Sequence, residues 1–222
     1  MTLGYRAARA AVRGLLWFLF AFRTAGGEHC PRSGPVIAAA NHLSWLDPIV
    51  HAAALPRRAV FMAAEDLLGE RVHPGFVPWE GLLRVIAPLL RWYGVIPVPR
   101  TEVDAAAYTG SAYKAALRLL RAGGCLAIYP EGGINRTAEP LAPLRNGVAL
   151  LSARAQAPVL PMWLFGTDRA LPLGSVVPRP ARVSVRFGPP LPPPQGRSAA
   201  DVEATTRALR EAMLALYRQG HP

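Results

Sequence analysis

The chain has 222 residues, 51% of them apolar, which is enough for one well-buried core and too few for two comfortable domains. Its 25 basic and 14 acidic residues leave a formal net charge of +11, a balance that suits an anionic partner: nucleic acid, anionic lipid, or a phosphorylated or CoA-like substrate. Two cysteines, Cys30 and Cys125, exclude a disulfide framework, and no Cys/His spacing suits a metal site.

The N-terminus carries Arg6, Arg9 and Arg13, then an apolar run over residues 14–22, then Arg23. The run falls short of the roughly 20 residues that span a bilayer. A signal peptide is disfavoured, because Arg23 stands where a small-residue cleavage site belongs. The preferred reading is an interfacial helix within residues 1–28, ahead of a single domain over residues 29–222. Its arginines share a face for lipid phosphates, while Trp17, Phe18, Leu19 and Phe20 enter the acyl boundary. The competing reading is a terminal helix packed on its own domain.

Residues 35–41 read as a buried strand running into a polar turn over residues 41–48, whose Pro48 suits a helix start. Residues 59–64 read as a second strand. Residues 76–93 are strongly apolar and read as helix broken by Pro88, a second candidate for membrane contact. Residues 94–98 form a short strand ahead of Arg100. Residues 104–121 predict an amphipathic helix with Tyr108, Ala112, Ala116 and Leu119 on its apolar face, ended by Gly123 and Gly124.

Residues 125–129 predict a strand, 144–156 a helix, 158–165 a strand, and 182–187 a strand in clean alternation. A proline-rich connector follows over residues 188–195. The last helix, residues 199–219, sets Val202, Leu209, Met213 and Leu216 on one side. Strands alternating with helices predict an α/β fold: a mixed, largely parallel central sheet flanked by helices.

Three segments carry candidate chemistry. In Asn41-His-Leu-Ser-Trp-Leu-Asp-Pro48, His42 and Asp47 are five apart, so a turn into a helix can bring the carboxylate to one imidazole nitrogen and leave the other basic. That is a base and its orienter without a serine nucleophile, placed after a buried strand, where α/β enzymes put their sites. The simpler reading is a histidine and an aspartate serving only a helix start. Ser44 sits in no nucleophile elbow and reads as a capping residue. In Gly94-Val-Ile-Pro-Val-Pro-Arg100, an arginine leaving a strand suits a phosphate. In Tyr129-Pro-Glu-Gly-Gly-Ile-Asn-Arg136, the glycines permit close backbone approach to an anion, Glu131 suits an acceptor hydroxyl, and Arg136 adds charge.

Taken in order, with Val159-Leu-Pro161 after them, these segments resemble the glycerophosphate acyltransferases, particularly the bacterial 1-acylglycerol-3-phosphate acyltransferases, over roughly residues 35–190. The third segment departs from the family's usual Glu-Gly-Thr-Arg-Ser: Gly133, Ile134 and Asn135 replace its last three residues. Leu144-Arg-Asn-Gly147 resembles the basic-x-Gly segment that follows in the family.

The resemblance implies transfer of an acyl chain from acyl-CoA or acyl carrier protein to the hydroxyl of 1-acylglycerol 3-phosphate. His42 would be general base and Asp47 its partner, with Arg100, Glu131, Gly132, Gly133 and Arg136 binding substrate. It implies no metal and no cofactor beyond the co-substrate, a membrane lipid as partner, and a peripheral or monotopic place on the cytoplasmic face. The altered third segment keeps other acceptors open: glycerol 3-phosphate, a lyso-ornithine lipid, another lysophospholipid or a glycolipid. A non-catalytic lipid-binding protein is the alternative of another class. Nucleic-acid binding is disfavoured, because the arginines are dispersed and no binding module is evident.

Overall fold

The computed structural model describes residues 3–64, 94–98 and 110–222. The apolar segment 76–93, Arg100 and the first part of the helix expected over 104–121 lie outside the described residues. Seven strands among those described form one sheet: β1 (Arg23–Ala25), β2 (Val36–Ala40), β3 (Val60–Ala64), β4 (Val95–Val98), β5 (Cys125–Ile128), β6 (Val159–Phe165) and β7 (Ser184–Phe187). Their order is β1-β7-β6-β2-β5-β3-β4. The pairings are parallel except between β6 and β7. The expected mixed, largely parallel sheet flanked by helices is what the chain forms.

β2 and β6 are buried along their whole length, as parallel strands covered on both faces must be. Their side chains divide between two cores. Val36, Ala38 and Ala40 face helices α1 (Leu3–Phe20) and α2 (Asp47–Ala54). Ile37 and Ala39 face α3 (Ser111–Arg121), α4 (Gly147–Ala155) and α6 (Ala199–Arg218), while the single turn α5 (Thr167–Ala170) follows β6. The small alanines of β2 let the helices approach the sheet closely.

Helix α6 buries Val202, Leu209, Met213 and Leu216, the side anticipated from its periodicity. Three other expectations shift. Helix α3 buries Ala112, Tyr113, Ala116 and Leu120, not Leu119. Helix α4 starts at Gly147 rather than 144, with Asn146 as its N-cap accepting from Leu150 N, and the Arg145 N–H before it donates to the Pro130 carbonyl. β7 does not alternate cleanly: Ser184 is buried, and its hydroxyl pairs with His221 Nδ1 at 2.9 Å.

The N-terminal helix is present, but its faces are not distributed as expected. Tyr5, Leu16 and Phe20 are buried, so Phe20 belongs to the core and not to an acyl boundary. Arg9 and Arg13 turn inward: Arg9 Nη2 donates to the Ala54 carbonyl at 3.3 Å and Arg13 Nη1 to that of Ala53 at 3.0 Å. There they satisfy the unpaired last carbonyls of α2 and complement its dipole. Leu3, Leu15, Trp17, Phe18 and Leu19 remain exposed. β1, within the segment expected to be separate, is an edge strand of the sheet among the described residues. No helix among the described residues is long and apolar enough to cross a membrane.

Candidate active site

The site stands where β2 ends. Asn41, fully buried, accepts from Leu164 N at 2.7 Å and donates to Leu164 O at 3.0 Å, continuing the β2–β6 pairing with a side chain. The next residue, His42, therefore leaves the sheet from a fixed point. The chain turns, with Asp47 N donating to Ser44 O at 3.1 Å, and enters α2. Across this turn His42 Nδ1 meets Asp47 Oδ2 at 2.8 Å. The same oxygen accepts from Leu43 N at 2.6 Å and Ser44 N at 2.7 Å. Three donors thus fix the carboxylate, which is fully buried. A carboxylate only accepts, so Nδ1 carries the proton and Nε2 the basic lone pair. The His42 side chain keeps 12% of its surface open.

Ser44 is not available as a nucleophile. It is buried, its hydroxyl donates to Leu171 O at 2.7 Å, and it accepts from Leu46 N at 3.2 Å. Its role is to fasten the turn that carries His42 to the loop after α5.

An aromatic stack backs the imidazole. Tyr129 lies on the His42 ring, centroids 4.0 Å apart and planes at 17°. His51 meets Tyr129 at 5.7 Å and Phe61 at 5.3 Å, edge to face in both cases. Burial pushes His51 down to about 3, helped by the nearby His42, so its ring is neutral at ordinary pH. Burial of the Tyr129 hydroxyl pushes its pKa well up, with Asp47 adding to the effect. Both are therefore uncharged, and the carboxylate partner of His42 is not shared with a second cation.

Glu131 differs from expectation. It is 8% exposed, and each oxygen is taken by backbone: Oε1 by His42 N and Oε2 by Ala142 N, both at 2.8 Å. Asn135 N in turn donates to His42 O at 2.7 Å. Glu131 thus braces the His42 main chain through one oxygen and the Ala142 N–H through the other. Burial pushes its carboxyl up, against the opposing pull of the two backbone N–H groups. From α6, Arg210 Nη1 donates to Leu141 O at 3.2 Å and Ala142 O at 3.0 Å, steadying the loop that Glu131 holds. Sequence reasoning gave no signal for Arg210, whose partners lie 69 and 68 residues away.

Replacing Glu131 with glutamine leaves one of the two backbone N–H groups facing an amide donor. Activity is expected to fall about 10–100-fold with KM little changed, because a slightly displaced base loses alignment rather than binding. Steady-state kinetics of the folded variant check this, and an unchanged kcat would remove Glu131 from the positioning network.

The remaining residues of the third segment occupy different places. Gly132 has φ +78°, and a Cβ there would collide with the Arg145 side chain, so glycine is required. Gly133 opens to solvent, with nothing within 4 Å of a Cβ placed on it. Arg136 is exposed. Asn135 is buried and forms a local turn, its Oδ1 accepting from Thr137 N at 2.9 Å and Thr137 Oγ1 at 2.7 Å. Arg145 brings its guanidinium group over Gly132, beside the site. The basic-x-Gly segment in the sequence was the available sign of it.

The Acyltransferase family model matches residues 21–165, a span that contains His42, Asp47 and Glu131. The chain belongs to this family. It is 28% identical over 200 residues to the mouse (Mus musculus) 1-acyl-sn-glycerol-3-phosphate acyltransferase alpha, covering 87% of this chain and 62% of the relative. The human (Homo sapiens) protein of the same name is 29% identical over 202 residues, with the same coverages. The 1-acyl-sn-glycerol-3-phosphate acyltransferase of Borreliella burgdorferi is 25% identical over 161 residues, 72% of this chain and 58% of the relative. The chain thus spans about three-fifths of the length of these curated relatives. Among solved structures, PlsC, the 1-acyl-sn-glycerophosphate (LPA) acyltransferase of Thermotoga maritima, superposes with a TM-score of 0.66. It is 21% identical and covers 93% of this chain and 78% of its own, so the two share a fold.

Proposed function

We propose that the chain transfers an acyl group from a thioester donor, acyl-CoA or acyl carrier protein, to the free hydroxyl of 1-acylglycerol 3-phosphate. The observation that carries this reading is the His42 Nδ1–Asp47 Oδ2 contact of 2.8 Å, with the Ser44 hydroxyl of the same turn committed to Leu171 O. Nε2 takes the proton of the acceptor hydroxyl as its oxygen attacks the thioester carbonyl. The C–S bond breaks, the thiolate leaves, and the imidazolium returns the proton to it. Asp47 stabilises that transient cation. No acyl-enzyme is required, because the thioester is already activated and the Ser44 hydroxyl is committed to Leu171 O.

Arg100 remains the phosphate ligand suggested by the resemblance, and Arg145 is a second cation beside the Gly132 turn. The relatives' names support a lysophosphatidate acceptor. One observation favours a neighbouring acceptor instead: the position of the family's third-segment arginine is Ile134, and Asn135 is folded into its own turn. A membrane lipid as acceptor and product places the chain peripherally on the cytoplasmic face, where both thioester donors occur.

Purified protein assayed with acyl-CoA or acyl carrier protein against a panel of acceptors tests the reading. Transfer to lysophosphatidate at rates at least about tenfold above the acceptors without a phosphomonoester is expected, since a site built to pair a phosphate penalises acceptors that lack it. Transfer to a different panel member alone would keep the chemistry and move the acceptor. No transfer with either donor would overturn the proposal.

A further inference from the structure

β2, β5 and β6 run parallel, so their C-terminal ends lie on one edge of the sheet, and His42 and Glu131 leave the sheet there. β7 is antiparallel to β6, with Ser184 opposite Phe165, so the N-terminal end of β7 lies on that same edge. Two further elements are delivered to it. The end of α1 arrives through Val183 N donating to Phe20 O at 2.9 Å. The loop over residues 171–182, joining α5 to β7, starts and finishes there.

That loop is exposed and apolar at its tip. Leu173, Val176 and Val177 are 41%, 46% and 66% exposed. Isolated exposed apolar residues are ordinary, but three within five positions are a cluster. The loop is also held in shape. Ser175 N donates to Pro172 O at 2.9 Å, Ser175 Oγ to Val177 O at 3.0 Å, and Arg179 N to Ala170 O at 2.7 Å. Leu171 and Ala181 anchor its two ends against the core shared with α1. The apolar tip is therefore presented to solvent by a built turn. Exposed Arg169, Arg179 and Arg182 flank it, and Asp168 is the one acid between residues 167 and 182.

We propose that this loop is a second lipid-contact surface, which docks on an anionic bilayer alongside the exposed Trp17, Phe18 and Leu19 of α1. Leu173, Val176 and Val177 enter the acyl boundary, and the three arginines meet headgroup phosphates; the cationic flanks and nearly acid-free loop supply the charge complementarity. The Ser44–Leu171 hydrogen bond ties the loop to the catalytic turn, so docking sets the height of His42 above the lipid. The purpose of that placement rests on the proposed lipid acceptor, whereas the docking itself does not.

The test is co-sedimentation of the full chain with vesicles of phosphatidylcholine alone and of phosphatidylcholine with phosphatidylglycerol. The triple variant Leu173→Ser, Val176→Ser, Val177→Ser is expected to bind both vesicle types about tenfold more weakly than wild type. The pair Arg179→Gln, Arg182→Gln is expected to lose about tenfold or more on the anionic vesicles and little on the neutral ones. Both should melt within a few degrees of wild type and keep full transfer to a short-chain acceptor in free solution. Wild-type binding by the triple variant would overturn the proposal, with Trp17→Ser, Phe18→Ser then assigning docking to α1 alone. A triple variant that dissociates a dimer without changing vesicle binding would also overturn it and give the surface to a second copy. Loop-dependent binding without any His42-dependent transfer would leave the docking surface standing while the reaction falls.

Discussion

Replacing His42 with alanine is expected to reduce kcat by at least about 10³-fold, with KM for the acceptor nearly unchanged. The imidazole touches the reacting proton and does not hold the acceptor in the ground state, so the loss falls on the transition state. Asp47→Asn should cost a similar factor by a different route. An amide oxygen can still accept from Nδ1, so the ring stays near its place. It has no charge to offer the imidazolium, however, and its NH₂ group can favour the other tautomer. The double variant should be little worse than either single one, because the two residues act as a unit. Two controls separate chemistry from folding. His42 packs mainly against Tyr129, so His42→Ala should retain a cooperative melt. Asp47 also holds Leu43 N and Ser44 N, so Asp47→Asn should show a modest stability loss that His42→Ala does not. Losses that multiply in the double variant would mean that the pair does not act as base and orienter.

What the sequence disclosed and what it concealed follow one physical division. β2 and β6 were readable because a strand covered on both faces must be continuously apolar. The His42–Asp47 pair was readable because its geometry is local, set by one turn. The role of Glu131 was not, because its partners are backbone N–H groups of His42 and Ala142, the first of them 89 residues distant, and backbone partners leave no residue-type signature. Helix α1 shows a related limit. Periodicity established that Arg6, Arg9 and Arg13 share a face, but not which way the helix is rolled. The carbonyls at the end of α2 decide it by drawing Arg9 and Arg13 inward. Trp17, Phe18 and Leu19 are then left outside, while Phe20, expected with them, is buried in the core.

Acid should destabilise the fold through His51, and the sign can be worked through. The folded state holds this ring at about 3, against 6.5 when unfolded, because full burial penalises its cation and His42 lies nearby. Between those values the unfolded chain binds a proton that the native chain does not. Stability is therefore fully present above about pH 6.5 and is lost as pH falls toward 3, by about 1.4 kcal/mol per pH unit. Glu131 works in the opposite sense: its raised pKa means that protonation relieves a burial cost as pH falls toward the ordinary carboxyl value. Between pH 6.5 and about 4.5 His51 and Glu131 together should thus cost somewhat under about 3 kcal/mol, and His221, which burial and the nearby Arg182 and Arg169 also hold below its ordinary value, works in the same sense as His51. Neither ring nitrogen of His51 has a hydrogen-bond partner among the described residues, so His51→Leu removes no such bond and eliminates the titration. Urea midpoints at the two pH values should separate clearly for wild type and draw together for His51→Leu. Equal acid sensitivity in both proteins would mean that His51 does not carry it. The same substitution leaves the His42–Asp47 contact in place, so activity at neutral pH should fall by less than about tenfold, which assigns His51 to stability rather than to proton transfer.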